Sequence, residues 1–247
     1  MCMLMDKNVL SKRLESIAGM VTPGQSVCDV GCDHALVAAY LLAEGITPFA
    51  VLLDMNAGPL EKARRHIESR GLSEKVALRR SDGLLGLCLA ETDTIIITGM
   101  GGRLIQRILT DEPEKVQAAK ELILGPQSEV ARLRRFLRRS GFQYISEEML
   151  CEDGQFYVFL KLRPGVSDES AADDDVETPE DRYGPLLLKN RHPVLQMYLE
   201  QEYAKSIKLR DEIKDNGSYI TERQQNKLVE LGELIKELEA VMKIWDN

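Results

Sequence analysis

A chain of 247 residues with 44% hydrophobic and 29% charged side chains can bury one large core, or one core with a small second unit, and has the composition of a soluble globular protein. No apolar run approaches the roughly 20 residues that cross a bilayer, and residues 1–7 lack the basic leader and apolar length of a secretion signal; the expected setting is cytoplasmic, with no membrane contact. Five cysteines form no CxxC pair and only three histidines accompany them, so reduced thiols and no metal site are expected.

The formal net charge of −8 is unevenly spread: residues 163–183 hold 2 basic and 8 acidic side chains, whereas residues 1–162 hold 20 and 21. A basic face on the folded part is therefore not excluded.

In chain order, an amphipathic helix over 10–20 is stopped by Thr22-Pro23-Gly24. Short apolar runs at 26–30, 49–53, 76–79, 94–98 and 122–124 then alternate with helical patterns at 34–43, 59–69, 103–109 and 128–139. This alternation predicts an α/β fold with a parallel sheet covered by helices. Ile95-Ile96-Ile97 is continuous, as in a strand buried on both faces. Runs at 142–151 and 156–162 flank Glu152-Asp153-Gly154-Gln155, a strong hairpin signal because glycine accepts the positive φ of a tight turn. A terminal antiparallel hairpin on a parallel sheet suits a class I (Rossmann-like) methyltransferase better than a nicotinamide dehydrogenase.

Residues 164–181, with Asp173-Asp174-Asp175 at their centre, read as a solvated acidic linker. Beyond it, Leu228, Leu231, Ile235, Leu238, Met242 and Trp245 form a heptad seam, with Thr221 and Gln224 as a capping box. Leu195, Leu199, Leu209 and Ile213 suggest an earlier helix and Asn216-Gly217 a turn between the two. The expected organisation is a nucleotide-binding domain over 1–162, an acidic linker over 163–183 and a small helical coiled-coil hairpin over 184–247, the whole being a monomer or weak homodimer.

The first strand ends in Asp29-Val30-Gly31-Cys32-Asp33-His34. Gly31 lets the backbone approach a ligand and the next helix offers unpaired N–H groups. A second glycine for a dinucleotide pyrophosphate is missing: Asp33 stands there, and a carboxylate would repel phosphates but tolerate the ammonium of S-adenosyl-L-methionine. Asp54 ends the second strand, where an acid can accept from ribose hydroxyls. Asp82, before Gly83, follows the third and is placed to accept from an adenine amino group. Each alone can be a turn or cap residue; together they form an adenosine-binding set. Thr98-Gly99-Met100-Gly101-Gly102 exposes backbone near the cleft, and lacks the Asp/Asn-Pro-Pro-aromatic motif of amino-group methyltransferases.

These blocks, with Asp54-Met55-Asn56-Ala57-Gly58-Pro59, Asp82-Gly83-Leu84 and Tyr183-Gly184-Pro185, resemble the bacterial tRNA (adenine-22 N1)-methyltransferases over nearly the whole chain apart from the linker. The chain departs at Leu36, where that family commonly has tyrosine, and at Gly125-Pro126-Gln127, where it often has Gln-Pro-Asn. The resemblance implies S-adenosyl-L-methionine as cofactor, tRNA as partner and N1 of adenine 22 as methyl acceptor. It places Asp29, Gly31, Asp33, Asp54, Met55, Asp82, Gly83 and Gly99 at the cofactor. His34 either contacts the base or handles a proton, or else caps the helix or holds the loop; Met100 packs on cofactor or base, or fills core. Arg103 and Arg107, and Arg132, Arg135 and Arg139 on the helix over 128–139, are candidate RNA contacts or a solvated face. Two other classes stay open: a non-catalytic nucleotide-binding module whose helical hairpin binds a protein, and a small-molecule methyltransferase.

Overall fold

The computed structural model describes residues 10–165, 176–215 and 221–245. The segment at 1–7, Cys2, the Asp173–175 run and the Asn216-Gly217 turn lie outside them. The chain divides into two compact units at Arg182/Tyr183.

In the first unit, α1 (Lys12–Met20) precedes β1 (Val27–Val30), α2 (Leu36–Ala43), β2 (Ala50–Asp54), α3 (Ala57–Ser69), β3 (Val76–Arg80), β4 (Thr94–Gly101), α4 (Gly102–Asp111), α5 (Pro113–Ala118), β5 (Glu121–Ser128), α6 (Val130–Arg139), β6 (Gln143–Glu152) and β7 (Gln155–Arg163). The seven strands lie in the order β3-β2-β1-β4-β5-β7-β6. β1 to β5 pair in parallel, whereas β7 enters antiparallel to β5, Leu122 facing Leu162 and Leu124 facing Leu160. This is the expected methyltransferase sheet. The order reverses between β1 and β4, which opens a crevice at their carboxyl ends.

Two apolar layers sandwich the sheet. Ile17, Leu41 and Ile67 of α1 to α3 join Ile96 on one face; Ile105, Leu133 and Leu137 of α4 and α6 join Ile95 and Ile97 on the other. Adjacent β4 residues point to opposite faces, so a strand with both faces covered must be apolar at every position. The hairpin turn is as read: Asp153 and Gly154 have φ of 52° and 76°, the paired positive values of a type I′ turn.

Some boundaries move, with identifiable causes. α2 starts at Leu36 rather than 34, because Asp33 (φ 43°) and Ala35 (φ 53°) are left-handed. β4 runs on to Gly101, with register shifts against β5 after Thr98. β5 continues to Ser128, and α6 begins only after Glu129 (φ 53°). α5, opened by Pro113, had no periodic signature in its six residues. Within the stretch read as solvated linker, Asp181 is 2% exposed; it receives Arg138 Nη2 at 2.8 Å and the Thr178 N–H at 3.1 Å.

α7 (Pro179–Tyr183) belongs to the first unit up to Arg182, and the second unit carries α8 (Pro185–Lys189), α9 (Pro193–Asp215) and α10 (Glu222–Met242). The capping box forms: Thr221 Oγ1 accepts from Gln224 N, and the Gln224 side chain accepts from Thr221 N. α9 and α10 pack together, Tyr203 Oη donating to Glu239 Oε1 at 3.0 Å. Leu231, Ile235 and Leu238 of the seam are buried, but at its end Val241 is buried in place of Met242. Among the described residues no helix is long and apolar enough to cross a membrane.

Candidate cofactor and active site

The crevice at the strand reversal is a cleft of about 580 Å³ lined from the carboxyl ends of β1, β2, β4 and β5, with β7 and α1 closing one side. It brings together Asp29, Gly31, Asp33, His34, Asp54, Met55, Asp82, Gly83, Gly99, Met100 and Arg107. Arg103, Arg132, Arg135 and Arg139 do not line it.

Asp29 is 6% exposed at the centre of the sheet edge. Burial, and then the charge of Asp54, push its carboxyl up to about 7. Low dielectric and a nearby like charge both disfavour the ionised form. Gly31 (φ 74°) donates its N–H to the Leu53 carbonyl at 2.7 Å. A Cβ there would collide with the Met100 terminal methyl, so Gly31 and Met100 share one space. Asp54 ends β2 with Oδ1 accepting from Asn56 N at 2.8 Å, which orients its carboxylate at the cleft wall.

The neighbouring loop is held by Ser81, whose Oγ accepts from Gly86 N at 2.8 Å and donates to the Gly83 carbonyl at 2.9 Å. Asp82 projects from this loop, and Arg107 grips both of its oxygens. That ion pair holds the Asp82 carboxyl below its ordinary range, through the hydrogen bond first.

His34 does not cap α2, whose N-cap Ala35 makes no side-chain hydrogen bond. Its ring is half-exposed, 3.7 Å from the Asp33 carboxylate. His66 Nδ1 lies 2.8 Å from the His34 carbonyl, a contact that requires the proton on Nδ1. Met100 packs against the core beneath and lines the cleft above.

The glycine run at the end of β4 and the start of α4 serves the chain as much as any ligand. Gly99 (φ 78°) faces the cleft, but a Cβ on Gly102 would lie 2.6 Å from the Glu129 carbonyl oxygen. The glycine is needed there for the close approach of α4 to the start of α6. Of the helix arginines, Arg134 is no solvated residue: it is 2% exposed and paired with the fully buried Glu147 at 3.1 Å. Arg103 pairs with Glu129 at 3.4 Å and Arg132 donates to Gln106 at 3.4 Å.

Gln127 of β5, noted in the sequence as part of a departure from the family pattern, lines the cleft. Several other cleft residues escaped the sequence reading: Arg13 and Leu14 of α1, and Tyr157 of β7, over which Arg13 stands 5.1 Å from the ring centroid. No local motif marks them, because the hairpin and α1 reach the cleft only through the fold. Among the described residues no group of three or more His, Cys, Asp or Glu could hold a metal ion.

A family model described as a methyltransferase domain matches residues 10–160. The chain is 32% identical over 238 residues to the tRNA (adenine(22)-N(1))-methyltransferase of Bacillus subtilis, spanning 95% of this chain and 98% of that one. Its fold superposes on the crystal structure of the B. subtilis m1A22 tRNA methyltransferase with a TM-score of 0.77, at 30% identity, covering 95% of this chain and 99% of that one. It superposes with a TM-score of 0.79, again at 30% identity, on a Streptococcus pneumoniae protein crystallised with S-adenosyl-L-methionine, covering 95% of this chain and 100% of that chain. The chain thus belongs to the methyltransferase-domain proteins and, among them, to the bacterial tRNA (adenine(22)-N(1))-methyltransferase family.

Proposed function

We propose that this protein transfers a methyl group from S-adenosyl-L-methionine to N1 of adenine 22 in tRNA. The observation that carries the reading is the meeting of three carboxylates, Asp29, Asp54 and Asp82, with Gly31 and Gly99 in one cleft at the sheet reversal. Those groups fit this cofactor: acceptors are present for hydroxyls and an amino group, acidic side chains face a cationic ligand, and Asp33 (69% exposed) stands where a pyrophosphate would need a glycine. S-adenosyl-L-methionine, when bound, supplies an activated methyl group on a sulfonium.

In the proposed assignment Asp54 accepts from the ribose hydroxyls and Asp82 from the adenine amino group, while Gly31, Gly83 and Gly99 leave room for close approach. Met55, 57% exposed, covers the adenosine side, and Asp29 and Asp33 face the amino-acid portion. The purine N1 lone pair is available at neutral pH, so the new C–N bond forms as the S–C bond breaks and the positive charge passes to the purine. No general base is required. The contribution of the protein is positioning, worth several kcal/mol, and an acidic wall that tolerates the charge wherever it rests. N1 lies on the Watson–Crick edge, so the base must be unpaired or flipped, for about a few kcal/mol. His34 and Met100 are assigned to the reacting base, His34 as a hydrogen-bonding contact and Met100 as the apolar floor. Arg103, Arg132, Arg135 and Arg139 are assigned to tRNA phosphates. A cytoplasmic setting and a monomer or weak homodimer complete the reading.

The test is methyl transfer from labelled cofactor into unmodified tRNA, followed by nucleoside analysis. Label in 1-methyladenosine at position 22 is expected. Label in N6-methyladenosine, or transfer only to small molecules, overturns the proposal. Calorimetry with S-adenosyl-L-methionine and with NAD separates it from a dehydrogenase.

A further inference from the structure

Asp82 and Arg107 come from different elements, the loop after β3 and the middle of α4, and form a two-point fork: Nη2 to Oδ1 at 2.7 Å and Nη1 to Oδ2 at 3.1 Å. We propose that Arg107 is a positioning residue of the cofactor site, which holds the Asp82 carboxylate in one orientation to receive the adenine amino group, and is not a contact for RNA phosphate. This rests on the reading of the cleft as an S-adenosyl-L-methionine site.

Three features carry it. First, the backbone under Asp82 is already fixed. The two Ser81 hydrogen bonds clasp the loop, and Gly83 sits so close to Ile108 that a Cβ would lie 3.1 Å from its Cγ1. The side-chain rotamer of Asp82 is the freedom left, and the fork removes it. Second, an ionised carboxylate offers about four lone-pair sites. A fork occupies one on each oxygen, leaving others directed away from Arg107 for an amine donor. Third, the guanidinium is already claimed by acids: besides Asp82, the Asp111 carboxylate lies 3.8 Å from Nη1. A phosphate arriving there would meet two negative groups around one positive one.

The pair is half-exposed, Arg107 at 47% and Asp82 at 42%. Such a pair adds little to folding stability because water screens it. Orientation is the effect left to it, and an acceptor ordered in advance spares the ligand the ordering on binding.

The experiment uses the full chain with Arg107→Gln and Arg107→Lys. Calorimetry measures affinity for S-adenosylhomocysteine and for its inosyl analogue, which lacks the amino group, and tRNA affinity is measured at several salt concentrations. The expected result for Arg107→Gln is about tenfold weaker binding of the adenosyl ligand, with loss of the adenosyl-over-inosyl preference. tRNA affinity, its salt slope and the melting temperature stay at the wild-type values. Arg107→Lys, which keeps the charge but cannot fork, restores the preference only in part. Asp82→Asn combined with Arg107→Gln is no worse than Asp82→Asn alone, as expected of residues acting as a unit. The proposal is overturned if cofactor affinity and the preference are unchanged while tRNA affinity falls and its salt slope drops by about one charge. A wild-type protein that binds no adenosyl ligand defeats the underlying reading of the cleft, a result separate from any behaviour of the variants.

Discussion

Asp29, one residue short of the end of β1, and Asp54, at the end of β2, belong to one parallel pair, where Asp29 lies beside Leu52 and Asp54 two residues further along β2, and the charge of Asp54 adds to burial in lifting the Asp29 carboxyl to about 7. The unfolded value is about 3.9, so the folded chain binds this proton more tightly than the unfolded one. The sign follows: the stabilisation is complete below about pH 4 and is lost as pH rises to about 7. Asp29→Asn has no such proton. Its melting temperature relative to wild type should therefore climb between pH 5 and 7, with the stability difference growing by up to about 1.4 kcal/mol per pH unit, and then level off. A difference that stays constant from pH 5 to 8 would show that Asp29 does not titrate there.

The same proton should be linked to ligand binding. A cation in the cleft favours the ionised form of Asp29, so S-adenosyl-L-methionine should expel a proton when it binds below pH 7. Affinity is expected to weaken by up to about tenfold per pH unit on going from pH 6.5 to 5.5. Calorimetry in two buffers of different ionisation enthalpy would count the released proton directly. Asp29→Asn should abolish the release, and a wild-type heat independent of buffer would remove the link.

Gly31→Ala meets two obstacles, a φ of 74° and the Met100 methyl. The left-handed backbone costs about 1–2 kcal/mol for alanine, and a chain of this size loses roughly 2–4 °C of melting temperature per kcal/mol. Cofactor binding should suffer more than folding, since the displaced Met100 side chain moves into the cleft. Adding Met100→Ala should restore part of the affinity while leaving the backbone strain. No gain in the double variant would mean that Met100 is not the obstruction.

What the sequence made legible follows from short-range physics. Ile95-Ile96-Ile97 declared a strand covered on both faces, Asp153-Gly154 a primed turn, and the strand-end acids a shared edge. The less visible features depend on partners distant in the chain. Gly102 is a glycine because of the Glu129 carbonyl, Asp181 is buried because Arg138 reaches it, and Tyr157 enters the cleft only because β7 lies beside β5. The charge of Arg107 alone leaves it a candidate RNA contact or part of a solvated face; its geometry sets it against the Asp82 and Asp111 carboxylates. A charge run on a helix tells how many arginines there are, not which ones already have counterions.

Arg134 and Glu147 make this last point testable. Both side chains are buried, at 2% and 0% exposure, with Nε 3.1 Å from Oε1, and Nη1 also donates to the Arg182 carbonyl at 3.0 Å. Desolvation offsets much of the attraction within such a pair, yet removing Arg134 takes from the buried Glu147 carboxylate its counterion at 3.1 Å. Arg134→Met should therefore destabilise the protein by about 3–5 kcal/mol in urea unfolding. Glu147→Leu in the same background should recover much of that loss, because no uncompensated charge is left and an apolar pair can fill the space. The carbonyl contact is not restored by the second change, so the last helical turn before the second unit should stay more open to amide exchange than in wild type. A single variant as stable as wild type would show that Arg134 is not what compensates the Glu147 carboxylate, and the double variant would then bring no recovery.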